Sequence, residues 1–222
     1  MDLVASPTEL STAATDAVLA AEVLAVAAWM ARTRGAARWR ALLWSTTLGL
    51  LAAACLLGAA AHGLAMPEST RAALWRPIYA LLGLVVGLML AAALADLRGA
   101  ASLRVLLPAV AAIALGFVAL SEATDGAYRV FVLFQGGAAL ATLAVYAGLA
   151  WRRTLAGAGT IAAGLALSLA AGVVQASDLA LVLIVPFDHN GLYHLVTMVA
   201  VALLGQGVLA GQRAGRAPRQ RR

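Results

Sequence analysis

The sequence contains no lysine, and this absence excludes two kinds of chemistry. All 16 basic residues are arginine. A seven-helix retinal protein needs a lysine for its Schiff base, and lysine-based covalent catalysis needs the same side chain. Cysteine is almost as rare. The single Cys55 excludes an intrachain disulfide and a cysteine-rich metal site.

Charge is scarce as well. Only 12% of the 222 residues are charged, whereas 63% are hydrophobic, and the mean hydropathy is +0.91. Soluble domains carry about 25% charged residues, and a soluble chain of this length could not bury so much apolar surface. The composition therefore excludes a soluble domain, a secreted disulfide scaffold and a disordered chain. It predicts an all-α, polytopic membrane protein whose solvent is lipid.

Seven apolar runs are long enough to cross a membrane as helices. They cover residues 12–31, 41–62, 75–95, 105–121, 128–150, 155–175 and 190–211. Because the gaps are short, we predict one seven-helix transmembrane domain over residues 1–211 and a basic, disordered cytoplasmic tail over residues 212–222. The apolar segment 179–185 is too short to span, and its position predicts a surface helix or a lid.

The arginines predict the orientation of this bundle, because short arginine-rich loops stay in the cytoplasm. Most of them lie in alternate gaps or in the tail: Arg32, Arg34, Arg38, Arg40, Arg98, Arg104, Arg152, Arg153, Arg213, Arg216, Arg219, Arg221 and Arg222. Most acidic residues fall on the other side. We therefore predict an N-terminus outside and a C-terminus inside, in the inner (cell) membrane of a bacterium. The net charge of +6 is then an orientation signal, so the expected partners are membrane lipids and not nucleic acid.

All three histidines fall near one level of the predicted bundle. His62 ends the second span, and His189 and His194 open the seventh. Imidazole is a common metal ligand, and a catalytic zinc uses three protein ligands plus a water. We therefore predict zinc bound by these three histidines. The spacing leaves open whether His189 or Asn190 faces the site, so sets of His62, His194 and either His189 or a carboxylate stay open.

Carboxylates at the same end are candidate catalytic residues. Glu68 follows the second span and Asp188 precedes the seventh. Either could take the proton of a metal-bound water or orient a histidine ligand. Asp188 is also placed to cap the last helix. Glu22 lies halfway along the first span, where a carboxylate is costly and usually faces the bundle interior or water, and its role stays open.

The span plan, the histidine that ends span two and the box that opens span seven resemble the alkaline ceramidase-like superfamily. This is the CREST group, which includes the progestin and adipoQ receptors. The segment 188–194 also resembles an uncharacterised bacterial membrane family with a His-Asn-x-x-Tyr-His box. The resemblance implies a zinc held by three histidines and hydrolysis of a lipid amide assisted by a serine and an aspartate. His62 matches the histidine of span two, and His194 matches the last histidine of a His-x-x-x-His box.

Three positions depart from that pattern. Gly58 stands where the superfamily has a serine, Ala73 stands where an aspartate is expected, and Asn190 stands at the first histidine of the box. Two hypotheses follow. The first is a zinc-dependent hydrolase that acts on a lipid amide or ester at the outer membrane face. The second is a non-catalytic membrane protein, such as a transporter-like, sensor or scaffold subunit, with a structural polar or metal site.

Overall fold

The computed structural model describes residues 2–33, 38–124 and 126–214, and this part of the chain is helical. Its helices are α1 (Pro7–Arg32), α2 (Arg38–Gly63), α3 (Glu68–Arg98), α4 (Leu103–Ala123), α5 (Tyr128–Trp151), α6 (Ala158–Gln175) and α7 (His189–Ala214). A short 3-10 turn precedes α4. By length and composition, seven helices are able to cross a membrane. The predicted all-α architecture with seven helices of membrane-spanning length is thus confirmed for the described residues, and the chain is compatible with a membrane protein.

The first and last helices close the bundle. α1 packs most extensively against α2 and also contacts α7, and α6 packs along α7. Glycine allows the close approach of α6 and α7, because a Cβ on Gly164 would lie 2.9 Å from the Ala200 carbonyl oxygen. A Cβ on Gly207 would lie 2.7 Å from the Gly157 carbonyl oxygen. In lipid, such small residues let helix backbones pack by direct van der Waals contact.

The main core lies among α1, α2, α3, α5, α6 and α7. Its largest fully buried side chains include Trp44, Met30 and Tyr146. At one end of the bundle the chain before α1 lies beside the end of α2, where the Val4 amide donates to the Gly63 carbonyl over 3.1 Å. α7 begins at the same end. We call this the histidine end.

α4 is the most peripheral helix. It packs against α3 and contacts α5 only sparsely. Apolar side chains along it face outward, and Val105 and Leu115 are 73% and 71% exposed. Such a surface is suited to lipid rather than to water.

Residues 179–185 do not form a surface helix, so that prediction is wrong. They belong to an antiparallel hairpin in which β1 (Leu181–Val182) pairs with β2 (Pro186–Phe187). Two local causes favour the extended chain. Three of the last four residues of the segment are valine or isoleucine, which prefer strands. A residue that precedes proline is also pushed out of the helical region. The lid stays a prediction.

The predicted tail is in part helical. α7 continues to Ala214, so the first three tail residues belong to the last helix. Gln212 is only 1% exposed within it. The prediction of a disordered tail otherwise falls on residues 215–222, which lie outside the described residues.

Candidate functional site at the histidine end

His194 lies on the second turn of α7, and both nitrogens of its ring face oxygen atoms of α1. Its Nδ1 is 3.0 Å from the Thr15 hydroxyl, and its Nε2 is 3.3 Å from Asp16 Oδ1. Both partners lie on α1. The side chains of His194 and Asp16 are 9% and 7% exposed. The first and last helices therefore meet through a buried imidazole–carboxyl pair.

His62 forms a second pair at the same end. Its Nδ1 lies 2.7 Å from Glu9 Oε2, and the two side chains are 14% and 34% exposed. The edge of its ring also packs against Trp75, with ring centroids 5.5 Å apart. Because Glu9 precedes Asp16 by seven residues on α1, this pair lies about 10 Å nearer the start of the helix.

α2 completes the surroundings of Asp16. The Cys55 thiol lies near the Asp16 carboxyl. Gly58 faces the same carboxyl so closely that a Cβ there would lie 2.6 Å from Asp16 Oδ2. His62 and Asp188 both lie within electrostatic range of His194. Three helices thus converge at this end. We call the side chains that they bring there the polar network: Glu9, Thr15, Asp16, Cys55, His62 and His194.

The two predicted catalytic carboxylates have other partners. Asp188 accepts hydrogen bonds on Oδ1 from the Gly191 amide and the Thr12 hydroxyl, each over 2.9 Å. It therefore caps α7, as its position predicts, and ties that helix to α1. Glu68 is 87% exposed and lies 3.8 Å from Arg71. The structure does not bring Glu68 to the histidines.

The remaining candidates stand apart from the network. His189 and Asn190 are half-buried in the first turn of α7, and neither side chain makes a hydrogen bond within the described residues. Glu22 is half-buried in α1 and likewise has no hydrogen-bond or ion-pair partner among them. The structure therefore assigns none of these three to the network.

The donor arrangement does not fit the predicted zinc centre. Within residues 2–33, 38–124 and 126–214, no three His, Cys, Asp or Glu side chains are grouped to hold a metal ion. Both ring nitrogens of His194 already face protein side chains. We therefore derive no chemical step through a metal, and zinc bound by His62, His189 and His194 stays a prediction.

Sequence reasoning missed Asp16 and Thr15. A signal for Asp16 exists, because it is a carboxylate inside the first apolar run, and the rule applied to Glu22 covers it equally. Thr15 carries no such signal, since threonine in a membrane helix usually bonds its own backbone. It does so here too, because its hydroxyl donates to the Thr12 carbonyl over 2.9 Å.

A second buried polar cluster lies between α2, α3 and α5. Arg40 Nε is 2.9 Å from Asp96 Oδ1, and both side chains are less than 5% exposed. The Tyr146 hydroxyl donates to Asp96 Oδ2 over 3.0 Å. Arg40 was assigned to a cytoplasmic gap from sequence. It lies instead in the first turn of α2, buried against α3.

Comparison with known proteins gives a family and no function. No curated protein and no solved structure matches the chain. The comparisons show no link to the ceramidase-like superfamily, so that resemblance stays a prediction. One family profile, described as a family of unknown function, matches residues 11–213. Because this match covers nearly the whole chain, the protein belongs to the DUF6962 family.

Proposed function

We propose that this membrane protein holds and exchanges a proton at the Asp16–His194 pair, and that it is of the transporter or sensor type rather than a hydrolase. The observation that carries this proposal is the buried position of the His194 ring between the Thr15 hydroxyl and the Asp16 carboxyl. Ionisable groups within membrane spans are rare, because they are costly, and they often mark proton relays.

Counting hydrogens supports a shared proton. The Thr15 hydroxyl has one hydrogen and donates it to the Thr12 carbonyl, so the hydroxyl accepts from His194 Nδ1–H. We infer that one further proton lies in the 3.3 Å between His194 Nε2 and Asp16 Oδ1. The pair is either a neutral imidazole with a carboxylic acid or an imidazolium with a carboxylate.

The Glu9–His62 pair supplies a route from the surface. Its side chains are more exposed than those of Asp16 and His194, and it lies at the same end of the same helices. Proton donors and acceptors therefore follow one another from the rim of the bundle inward. We expect this end to face the outside of a bacterial cell membrane, because most arginines lie at the opposite end.

The zinc-dependent lipid hydrolase is the competing hypothesis. Its support is the resemblance and the proximity of His62 and His194. Against it stands the exposed position of Glu68 and the capping role of Asp188. The two hypotheses differ in an observable, because one requires a bound metal and the other requires an exchangeable carboxylic acid proton.

Infrared difference spectroscopy of the protein in lipid nanodiscs tests the proposal. On a pH step, we expect a C=O stretching band of a buried carboxylic acid that shifts in D2O. The band should disappear in Asp16→Asn and shift in frequency in His194→Gln, because the imidazole no longer faces the acid. Glu22→Gln is the matched control on the same helix, and it should leave the band in place.

Two results would contradict the proposal. One is an unchanged band in Asp16→Asn. The other is about one tightly bound zinc per chain by elemental analysis, lost in both His62→Ala and His194→Ala. The second result would favour the hydrolase instead.

A further inference from the structure

A cavity of about 310 Å³ opens at the histidine end, between the start of α3 and the end of α4. It is distinct from the Asp16–His194 pair. Aromatic, charged and hydroxyl side chains line it together: Trp75, Arg76, Tyr79, Ser121 and Glu122. Tryptophan and tyrosine at the end of a membrane span lie at the level of lipid headgroups. The cavity therefore lies where headgroups of the surrounding bilayer are found.

Among the described residues that line it, the cavity presents one charge of each sign. Arg76 Nε lies 3.2 Å from Glu122 Oε1, and the side chains are 70% and 49% exposed. A guanidinium has five N–H donors and a carboxylate has two acceptor oxygens. The contact with Glu122 uses one nitrogen of Arg76 and one oxygen of Glu122. Both groups can therefore bind a further partner of opposite charge.

A second, apolar cleft of about 410 Å³ is lined on α4 by residues within about one turn of those that line the cavity. It lies between α4 and α5 and is lined by Gly116, Phe117, Leu120, Val130, Leu133 and Phe134. The cleft exists because these two helices contact each other sparsely. A Cβ built on Gly116 meets no atom within 4 Å, so the space is free of protein. It suits an acyl chain.

We propose that the cavity and the cleft together bind one phospholipid with a zwitterionic headgroup. The phosphate binds Arg76, the ammonium binds Glu122, and one acyl chain occupies the cleft between α4 and α5. An anionic headgroup would bind Arg76 but would be repelled by Glu122. An uncharged glyceride would leave both charged side chains without a ligand. Charge complementarity of this kind mainly confers specificity.

This inference does not depend on the proposed proton exchange. The two sites share only a contact, since Trp75 lines the cavity and packs on the ring of His62. A bound headgroup would therefore lie one aromatic ring away from the Glu9–His62 pair. Failure of either proposal leaves the other standing.

Native mass spectrometry of the purified full-length protein tests the lipid site. The protein is incubated in detergent with phosphatidylethanolamine, phosphatidylglycerol or diacylglycerol, and bound lipid is counted per chain. We expect phosphatidylethanolamine to bind most tightly. The binding of phosphatidylethanolamine should be about tenfold weaker in Arg76→Gln and in Glu122→Gln, because each variant loses one charge-assisted contact. The binding of phosphatidylglycerol should weaken in Arg76→Gln. It should strengthen in Glu122→Gln, because the repulsion by Glu122 is removed.

Matched variants separate the site from general effects on charge or folding. Arg129→Gln and Asp178→Asn remove exposed charges at the same end and should bind lipid as the natural protein does. Gly116→Leu places a side chain in the empty cleft and should weaken binding about tenfold. Gly172→Leu, at a second glycine with open space, should not. Equal lipid binding by site and control variants, or tighter phosphatidylglycerol than phosphatidylethanolamine binding to the natural protein, would overturn the proposal.

Discussion

The Asp16 carboxyl lies against the backbone of Gly58 and fills the space that a side chain at position 58 would need. A Cβ at position 58 would lie 2.6 Å from Oδ2 and 3.1 Å from Cγ of Asp16. The resemblance to the ceramidase-like superfamily implies a serine at this position of span two. A side chain there would displace the Asp16 carboxyl from its present position. Glycine at position 58 is therefore the local condition that admits Asp16 to the network.

Gly58→Ala should displace the Asp16 carboxyl and lower the free energy of unfolding by about 1–3 kcal/mol, the usual cost of overpacking. Gly49→Ala is the control, because it lies on the same helix and its Cβ would meet no atom within 4 Å. Alanine should stabilise that position by roughly 0.5–1 kcal/mol. Denaturant titration in detergent measures both. Equal effects of the two substitutions would show that Gly58 makes no close contact with Asp16.

At the scale of the elements, the Arg40–Asp96–Tyr146 cluster fixes how α2, α3 and α5 pack. The bonds to Asp96 come from two other helices, so removal of the carboxylate leaves a buried guanidinium without its charge partner. Sequence reasoning placed Arg40 in a gap because the second predicted span begins at residue 41. Residues two apart on a helix point to nearly opposite sides. Arg40 can therefore be buried while Arg38 is exposed.

Asp96→Ala should lower the free energy of unfolding by about 3–5 kcal/mol, because it breaks a buried ion pair on one side only. Tyr146→Phe should cost about 1.5–3 kcal/mol, the value of a hydrogen bond to a charged group. Glu68→Gln removes the exposed contact with Arg71 and should change stability by less than about 1 kcal/mol. The same denaturant assay measures all three variants.

The double variant Arg40→Met with Asp96→Leu provides a further check. It replaces both charges by apolar groups and should recover much of the loss seen in Asp96→Ala. If Asp96→Ala unfolds no more readily than Glu68→Gln, the cluster does not hold the three helices together.

At the scale of the whole molecule, the architecture was predictable and the network was not. Lipid forces each crossing segment to be a long apolar helix, so composition and run length located all seven. The bonds of His194 depend instead on which helices are neighbours, and no spacing along the chain records that α1 meets α7. The partners Thr15 and Asp16 are 179 and 178 residues away from it, beyond the reach of any local motif.

Cysteine accessibility tests the orientation of the whole bundle. Asp178 and Thr154 are exposed and flank α6 at opposite ends. With the N-terminus outside, Asp178→Cys should react with a membrane-impermeant maleimide on intact cells, and Thr154→Cys should react only after permeabilisation. The natural protein is the control, because its single Cys55 is buried. The opposite labelling pattern would reverse the proposed orientation.

The contact between α1 and α7 also has a consequence for biogenesis. Asp16 leaves the ribosome 178 residues before His194, which at about 5–20 residues per second is roughly 10–35 s. During that interval the carboxyl can reach Cys55 of α2 but not its imidazole partner. An intramembrane acid is least costly when it is protonated. We therefore expect Asp16 to enter the membrane as an acid, and the nascent chain to acquire its proton-sharing pair only when the last helix docks.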